Sequence, residues 1–213
     1  AFFKKLSGRY KRIRKRCKGQ PNEQIYQSKK ANLQELESLA EKGLIDLFYG
    51  DETCVSSEGY VPYGWQFPDD KVAIYTEKGY KINIFGLISR TNQGHWQTTQ
   101  QNIDSQFVVN HLDNLSLKIK KYTVVVLDDA SIHQSKLLNQ YRSIWENRGL
   151  SIFFLPTYSP HLNIAETVWR KLKTEWVVPQ DYLEKDNLFY AVNRCLANIG
   201  NSLKINFSSF NAN

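Results

Sequence analysis

The sequence predicts an α/β fold, a mixed sheet with helices packed on its faces, on three observations. Two apolar runs, "YTVVVL" (122–127) and "SIFFLP" (151–156), have the length and the β-branched and aromatic content of strands buried on both faces. Between them lies "HQSKLLNQYRSIWENRG" (133–149), in which Leu137, Tyr141, Ile144 and Trp145 recur at helical spacing before Gly149. Two strands joined by a helical crossover run parallel. Upstream, "KINIFGLIS" (81–89) and "HWQTTQ" (95–100) lie a few turn residues apart and read as an antiparallel pair.

The other elements follow in chain order. "ANLQELESLAEKG" (31–43) sets Leu33, Leu36 and Ala40 on one helical face and stops at Gly43. "LIDLFYG" (44–50) reads as a first strand that ends at Asp51, and residues 55–70, with their Gly, Pro and aromatic content, as a long loop or short hairpin. "VAIYT" (72–76) is a further strand signal. Ile103, Phe107, Val108, Leu112, Leu115 and Ile119 mark a helix over 103–119, and two more helices are expected over 164–176 and about 187–199.

Composition narrows the function classes. A chain of 213 residues, 41% hydrophobic and 13% aromatic, buries a substantial core and suits one domain with an appendage. No apolar run approaches the roughly 20 residues of a membrane span, and no apolar stretch follows the basic N-terminus as in a secretory signal, so a cytoplasmic protein without a membrane partner is expected. Cys17, Cys54 and Cys195 are far apart, which excludes a paired-cysteine zinc site or disulfide framework. The chain begins at Ala1 and contains no Met, so it reads as part of a longer protein.

Charge is unevenly placed. Residues 1–30 carry 11 Lys and Arg against one acidic residue, Glu23, whereas the remainder carries 17 basic and 20 acidic residues. The basic character is a feature of the N-terminus, and "KRIRKRCKG" (11–19), with Lys11, Arg12, Arg14, Lys15, Arg16 and Lys18, suits a polyanion such as nucleic acid.

Acidic residues stand where strands end and helices begin: Asp51 in "LFYGDET", Asp128 and Asp129 after "VVVL", and Glu166 in "LPTYSPHLNIAETVWRKLK" (155–173). If the first strand lies beside the strand at 122–127, Asp51 and Asp128 converge on one edge, over which the Glu166 helix must pass. Convergent carboxylates repel each other and call for a hard divalent cation with oxygen ligands. Locally, Asn163 and Glu166 also spell the N-cap and N3 positions of a capping box, and Asp51 and Asp128 also suit ordinary turn residues.

"FYGDETCV", "VVVLDDASIH" and "FLPTYSPHLNIAETVWRKLK" together resemble the three signature blocks of bacterial insertion-sequence transposases related to the mariner elements, the DDE superfamily endonucleases. The resemblance spans about 44 to 176, and the third block is its most specific part. It implies a ribonuclease-H-like five-stranded mixed sheet, three strands antiparallel and then parallel strands, with helices on both faces. It implies Asp51, Asp128 and Glu166 as catalytic and metal-binding residues. Two Mg²⁺ ions are implied, replaceable by Mn²⁺. The reaction implied is cut-and-paste movement of DNA: hydrolysis at the element's ends, then transfer of the freed 3′-hydroxyl into target DNA at a TA step. The expected partner is double-stranded DNA bound by a homodimer, in the nucleoid of a bacterial cell. Residues 31–213 would be the catalytic domain and residues 1–30 the tail of an upstream DNA-binding region. Two departures stand out: Asp129 replaces the family's usual Asn, and Ile164-Ala165 replaces its Pro-Ile before the glutamate. Asp129, His133, Arg170, Lys171 and Lys173 are candidate supporting or DNA-contacting residues, and Tyr63 and Trp65 candidate base-stacking ones. Two other readings stay open: a structure-selective nuclease of the same fold, and an inactive transposase remnant that only binds DNA.

Overall fold

The computed structural model describes residues 22–57 and 79–208. The basic segment with Lys11, Arg12, Arg14, Lys15, Arg16 and Lys18, the loop with Tyr63 and Trp65, and the expected strand at 72–76 lie outside the described residues. The element order is α1 (Glu23–Glu41), β1 (Asp46–Ser56), β2 (Lys81–Ile88), β3 (Gly94–Thr99), α2 (Ser105–Ser116), β4 (Thr123–Leu127), α3 (Lys136–Asn147), β5 (Leu150–Phe154), α4 (Ala165–Lys171) and α5 (Lys185–Asn198). Five strands form one sheet in the order β3-β2-β1-β4-β5. β1, β2 and β3 pair antiparallel, and β4 and β5 join in parallel, as the sequence leads one to expect.

Capping explains where the helices begin. α1 starts eight residues before the expected Ala31, because the Asn22 side chain accepts hydrogen bonds from the backbone N–H groups of Gln24 and Ile25. Asp104 caps α2 through the Phe107 N–H at 2.8 Å. Ser135 caps α3 through the Leu138 N–H at 3.2 Å, so that helix begins at Lys136 and leaves His133 in the preceding turn rather than on the helix. Gly43 and Gly149, just past α1 and α3, adopt φ of 72° and 89°, the left-handed conformation that glycine adopts without strain.

The sheet is covered on both faces. Strand alternation sends Tyr49, Ile84 and Val126 to one side, against Leu33 of α1, Val168 and Trp169 of α4, and Leu188 and Val192 of α5. Phe48, Phe85 and Val125 point the other way, against Val108 and Leu112 of α2 and Leu138 and Trp145 of α3. No described helix is long and apolar enough to cross a membrane.

One expectation is corrected. β1 does not end at Asp51 but runs on to Ser56, because β2 pairs with it all the way from Tyr49↔Ile88 to Ser56↔Lys81. Its other neighbour, β4, accompanies it only from Asp46↔Thr123 to Tyr49↔Val126. Asp51 is therefore internal to its strand yet two residues beyond the last β4 pair, at a step in the sheet.

Candidate active site

The step is shaped from both sides. Across the β1–β2 ladder Asp51 pairs with Gly86, and Gly86 pairs in turn with Trp96 of β3. Trp169, from α4, lies edge-on to Trp96 with ring centroids 5.7 Å apart and donates its indole N–H to Oδ2 of Asp51 at 3.0 Å. Only glycine fits at position 86, since a Cβ there would sit 2.7 Å from Cη2 of Trp169. The two indoles and a missing side chain thus hold one oxygen of Asp51 in place.

α4 is anchored to the same stretch of β1. The Asn163 side chain donates from Nδ2 to the Gly50 carbonyl at 2.9 Å and accepts the Ala165 N–H on Oδ1 at 3.1 Å. The capping box expected for Asn163 and Glu166 is not formed: the Asn163 N–H is taken by the Pro160 carbonyl at 2.9 Å. Asn163 keeps its own bond to the Ala165 N–H and in addition ties the helix start to the residue before Asp51. Glu166 then lies one helical turn before Trp169, on the side of α4 that faces Asp51.

Asp128 follows directly on the last residue of β4. Its Oδ1 accepts from the Ala130 N–H at 3.1 Å and from Nδ1 of His133 at 2.8 Å. The opposite ring nitrogen, Nε2, lies 2.8 Å from Oε1 of Glu52. His133 has no exposed side-chain surface, whereas that of Asp128 is 46% exposed. The pleat sends Glu52 to the α2–α3 side of the sheet and its neighbour Asp51 to the α4 side. Sequence reasoning passed over Glu52, because nothing in the chain announces that a histidine more than 80 residues away will meet it.

Charge links these groups. Burial, and then the charges of Glu166, Glu52 and Asp128, push the Asp51 carboxyl up to about 7. Burial also raises Glu166, with the charge of Lys173 opposing and that of Asp128 adding to it. Asp128 moves the other way, held below its ordinary value by the hydrogen bond from His133. Burial works against charge on His133, but its bonds to Asp128 and Glu52 outweigh this and bring it to about 10. The result is a group of carboxylates on three separate elements, each within the field of the other two. Among the described residues no three acidic, histidine or cysteine side chains are drawn together tightly enough to enclose a metal ion by themselves. The oxygens that remain without a protein donor are nevertheless hard ligands, of the kind Mg²⁺ and Mn²⁺ take together with water and phosphate.

The remaining candidates are placed as follows. Asp129 is exposed and accepts from Nε2 of Gln134 at 2.7 Å. Arg170 and Lys171 are engaged by Glu175, at 3.5 and 2.6 Å. Lys173 sits in a π-helical turn, Leu172–Trp176, and is the base whose charge reaches Glu166. Outside this set, His161, in the turn before α4, bonds the Tyr26 hydroxyl at 2.9 Å.

Comparison with known proteins bears on the fold and the family. No curated protein sequence matches the chain. Among solved structures, it superposes on the mariner Mos1 paired-end complex with Mg at a TM-score of 0.51 and 14% identity, covering 92% of this chain and 65% of that one. The Mos1 paired-end complex with Mn gives 0.50 at 14% identity, over 94% and 70%. The simian T-cell lymphotropic virus intasome gives 0.50 at 14% identity, over 77% and 50%. At such identities the likeness is one of fold, the ribonuclease-H-like sheet, and the chain spans about two thirds of the Mos1 length. The family model for DDE superfamily endonucleases matches residues 46–188, from the first residue of β1 into α5 and across every element that bears one of these carboxylates. A match over well more than half of the sequence makes this chain a member of the DDE superfamily endonucleases.

Proposed function

We propose that this chain is the catalytic domain of a DNA transposase, with Asp51, Asp128 and Glu166 as the catalytic and metal-binding residues. The reading is supported by the charge that couples these three carboxylates, from the middle of β1, the end of β4 and the start of α4: beyond the burial that raises both, Glu166 and Asp128 act on Asp51, and Asp128 acts on Glu166. Such repulsion weakens a fold unless a cation relieves it.

Oδ2 of Asp51 is tied back by Trp169, and its carboxylate also takes a hydrogen bond from the Glu52 backbone, while Ala130 and His133 tie back Oδ1 of Asp128. Glu166 supplies the third carboxylate, and Lys173 moderates its charge. The donor set fits Mg²⁺ or Mn²⁺, two ions being expected once DNA phosphate is present. Asp51, Asp128 and Glu166 would hold such a cation, which would supply Lewis-acid activation of a water or 3′-hydroxyl and charge neutralisation at the leaving oxygen. The chain's own residues orient these oxygens and hold their spacing. Tying back one oxygen per aspartate lowers the number of geometries the site can adopt and so pre-organises it. The substrate proposed is double-stranded DNA, cut at element ends and joined at TA targets by a dimer. Support for DNA comes from the Mos1 neighbours solved as paired-end complexes and from the basic residues of the N-terminal segment, here proposed as the tail of a DNA-binding region that precedes the catalytic part.

The test is nicking of supercoiled plasmid in Mn²⁺ or Mg²⁺ by the whole chain and by Asp51→Asn, Asp128→Asn and Glu166→Gln. Each variant should lose at least about 100-fold in cleavage rate while keeping its circular dichroism spectrum, the scale expected when a directly acting group is removed. Joining of the freed 3′-hydroxyl to a second DNA separates a transposase from a simple nuclease of the same fold. Cleavage that survives any one substitution removes that residue from the site, and an intact, metal-binding protein that neither cuts nor joins is the remnant.

A further inference from the structure

We propose that Glu52, acting through His133, is a positioning residue for Asp128, a strut that spans the gap between β1 and β4 where their pairing stops. The inference rests on the reading of Asp128 as a metal ligand. His133 lies between two carboxylates, with Nδ1 2.8 Å from Asp128 and Nε2 2.8 Å from Glu52. A carboxylate oxygen accepts and does not donate, so an imidazole bonded to one at each nitrogen uses both N–H groups as donors and has no alternative orientation with equal bonding. The ring has no solvent-exposed side-chain surface and packs against Phe85, with centroids 6.3 Å apart. The turn that carries it is closed by the His133 N–H on the Ala130 carbonyl at 3.0 Å, and the Ala130 N–H itself bonds Asp128 at 3.1 Å.

This arrangement gives the site a support that the backbone lacks. β1 and β4 are hydrogen-bonded only as far as Tyr49↔Val126, two residues short of Asp51 and Asp128. Beyond that point nothing in the ladder fixes the distance between the two strands. Glu52 belongs to β1, and His133 to the turn after β4, so their bond closes the gap from the face opposite Asp51. Of the three hydrogen-bonded side chains Asp128 is the most open, 46% exposed against 24% for Glu52 and none for His133, so the ligand candidate stands on a buried base. Carboxylate–histidine supports of this kind orient a metal ligand and typically change metal affinity about 10–100-fold when removed.

Two measurements on the full chain test this. The first uses the metal-free protein: ¹⁵N-labelled His133 should show two slowly exchanging imidazole N–H protons, the Nε2 signal lost in Glu52→Ala and retained in Glu52→Gln, which keeps an acceptor oxygen. Absence of a protected Nε2–H in the parent protein, or its persistence in Glu52→Ala, overturns the strut. The second titrates Mn²⁺ alone by calorimetry. Glu52→Ala should weaken Mn²⁺ binding about 10–100-fold, Glu52→Gln should restore most of it, and DNA cleavage by Glu52→Ala should recover at saturating Mn²⁺. Parent-like Mn²⁺ affinity in a folded Glu52→Ala variant that has lost the protected proton also sinks the proposal. If the parent shows the protected protons but binds no Mn²⁺, the metal-site reading fails and the role assigned to Glu52 in metal binding falls with it, while the hydrogen-bonded strut itself stands.

Discussion

At the scale of single residues, Asp51 combines a structural cost with the chemical use proposed for it. Burial and the neighbouring carboxylates push its carboxyl up to about 7 from the ordinary aspartate value of 3.8. The folded protein therefore holds a proton that the unfolded chain has released, and stability falls as pH rises from about 4 through about 7. Asp51→Asn removes the charge while keeping the shape and an acceptor for Trp169. In metal-free buffer this variant should be more stable than the parent at pH 8 by about 1–2 kcal/mol, and the gain should disappear near pH 4. Urea unfolding at the two pH values measures this, and equal stability at pH 8 contradicts the repulsion on which the site reading rests. Mg²⁺ or Mn²⁺ should raise the parent's melting temperature and leave that of Asp51→Asn nearly unchanged. Trp169 is the second residue-scale case. Trp169→Phe keeps an aromatic ring against Trp96 but removes the N–H that holds Oδ2 of Asp51. Mn²⁺ affinity by calorimetry should drop about 10-fold with the fold intact, as for other groups that orient a metal ligand.

At the scale of elements, the site depends on how closely β2 lets α4 approach. Gly86 is the contact point, because its missing side chain gives Trp96 and Trp169 their shared space beside Asp51. Gly86→Ala forces the indoles apart, and thermal or urea unfolding should show a loss of about 1–3 kcal/mol, the usual cost of overpacking. It should also relax the Trp169 hydrogen bond, so that Mn²⁺ affinity falls together with stability. Gly50, one residue from Asp51, has a similar role on the opposite face, where a Cβ would lie 2.6 Å from Cδ2 of Leu127 and 2.7 Å from Cδ2 of Leu87. Its carbonyl also holds Asn163 and hence the start of α4. The two glycines beside Asp51 thus serve close packing, not turn geometry, and both sit in strand interiors where glycine otherwise weakens pairing.

At the scale of the whole molecule, the elements behind the carboxylates are joined by a buried polar cluster. Glu37 of α1 is 5% exposed, accepts from the Tyr49 hydroxyl of β1, and pairs with Nε of Arg90, just past β2, at 2.6 Å. Arg90 also donates to the Ser208 carbonyl at 2.9 Å, which draws the C-terminal segment onto the same place. Asn92 adds to this by bonding Ile205 through both its amide nitrogen and its oxygen, at 3.1 and 2.7 Å. Arg90→Met leaves Glu37 buried without its cation, and the protein should lose about 3 kcal/mol in equilibrium unfolding, within the range for breaking a buried ion pair. Glu37→Gln combined with Arg90→Met should recover part of that loss, since no uncompensated charge then remains. A double variant no better than the single one would mean that Arg90 acts chiefly through the C-terminal segment.

The sequence by itself determined the elements and pointed to the carboxylates proposed for the site. Apolar runs of strand length, helical spacing and Gly43 or Gly149 at helix ends are local signals, set by the side-chain periods of strand and helix and by backbone sterics, and β2 through α5 lie close to where those signals place them. Asp51, Asp128 and Glu166 were legible because three blocks of residues around them resemble a known family, not because of their spacing. Tertiary structure alone decided the rest. Asp51 lies inside a strand and not at its end because the length of β1 is set by its partner β2, which no local signal in β1 reports. Asn163 accepts the Ala165 N–H at the start of α4, as a cap does, and also ties that start to the Gly50 carbonyl, a partner 113 residues away that no local signal reports. Glu52 looks like a surface acid until the turn after β4 brings a buried histidine to it from 81 residues away. Hydrogen bonds between distant residues depend on the path of the whole chain, and so the supports of the site became visible only when the chain was folded.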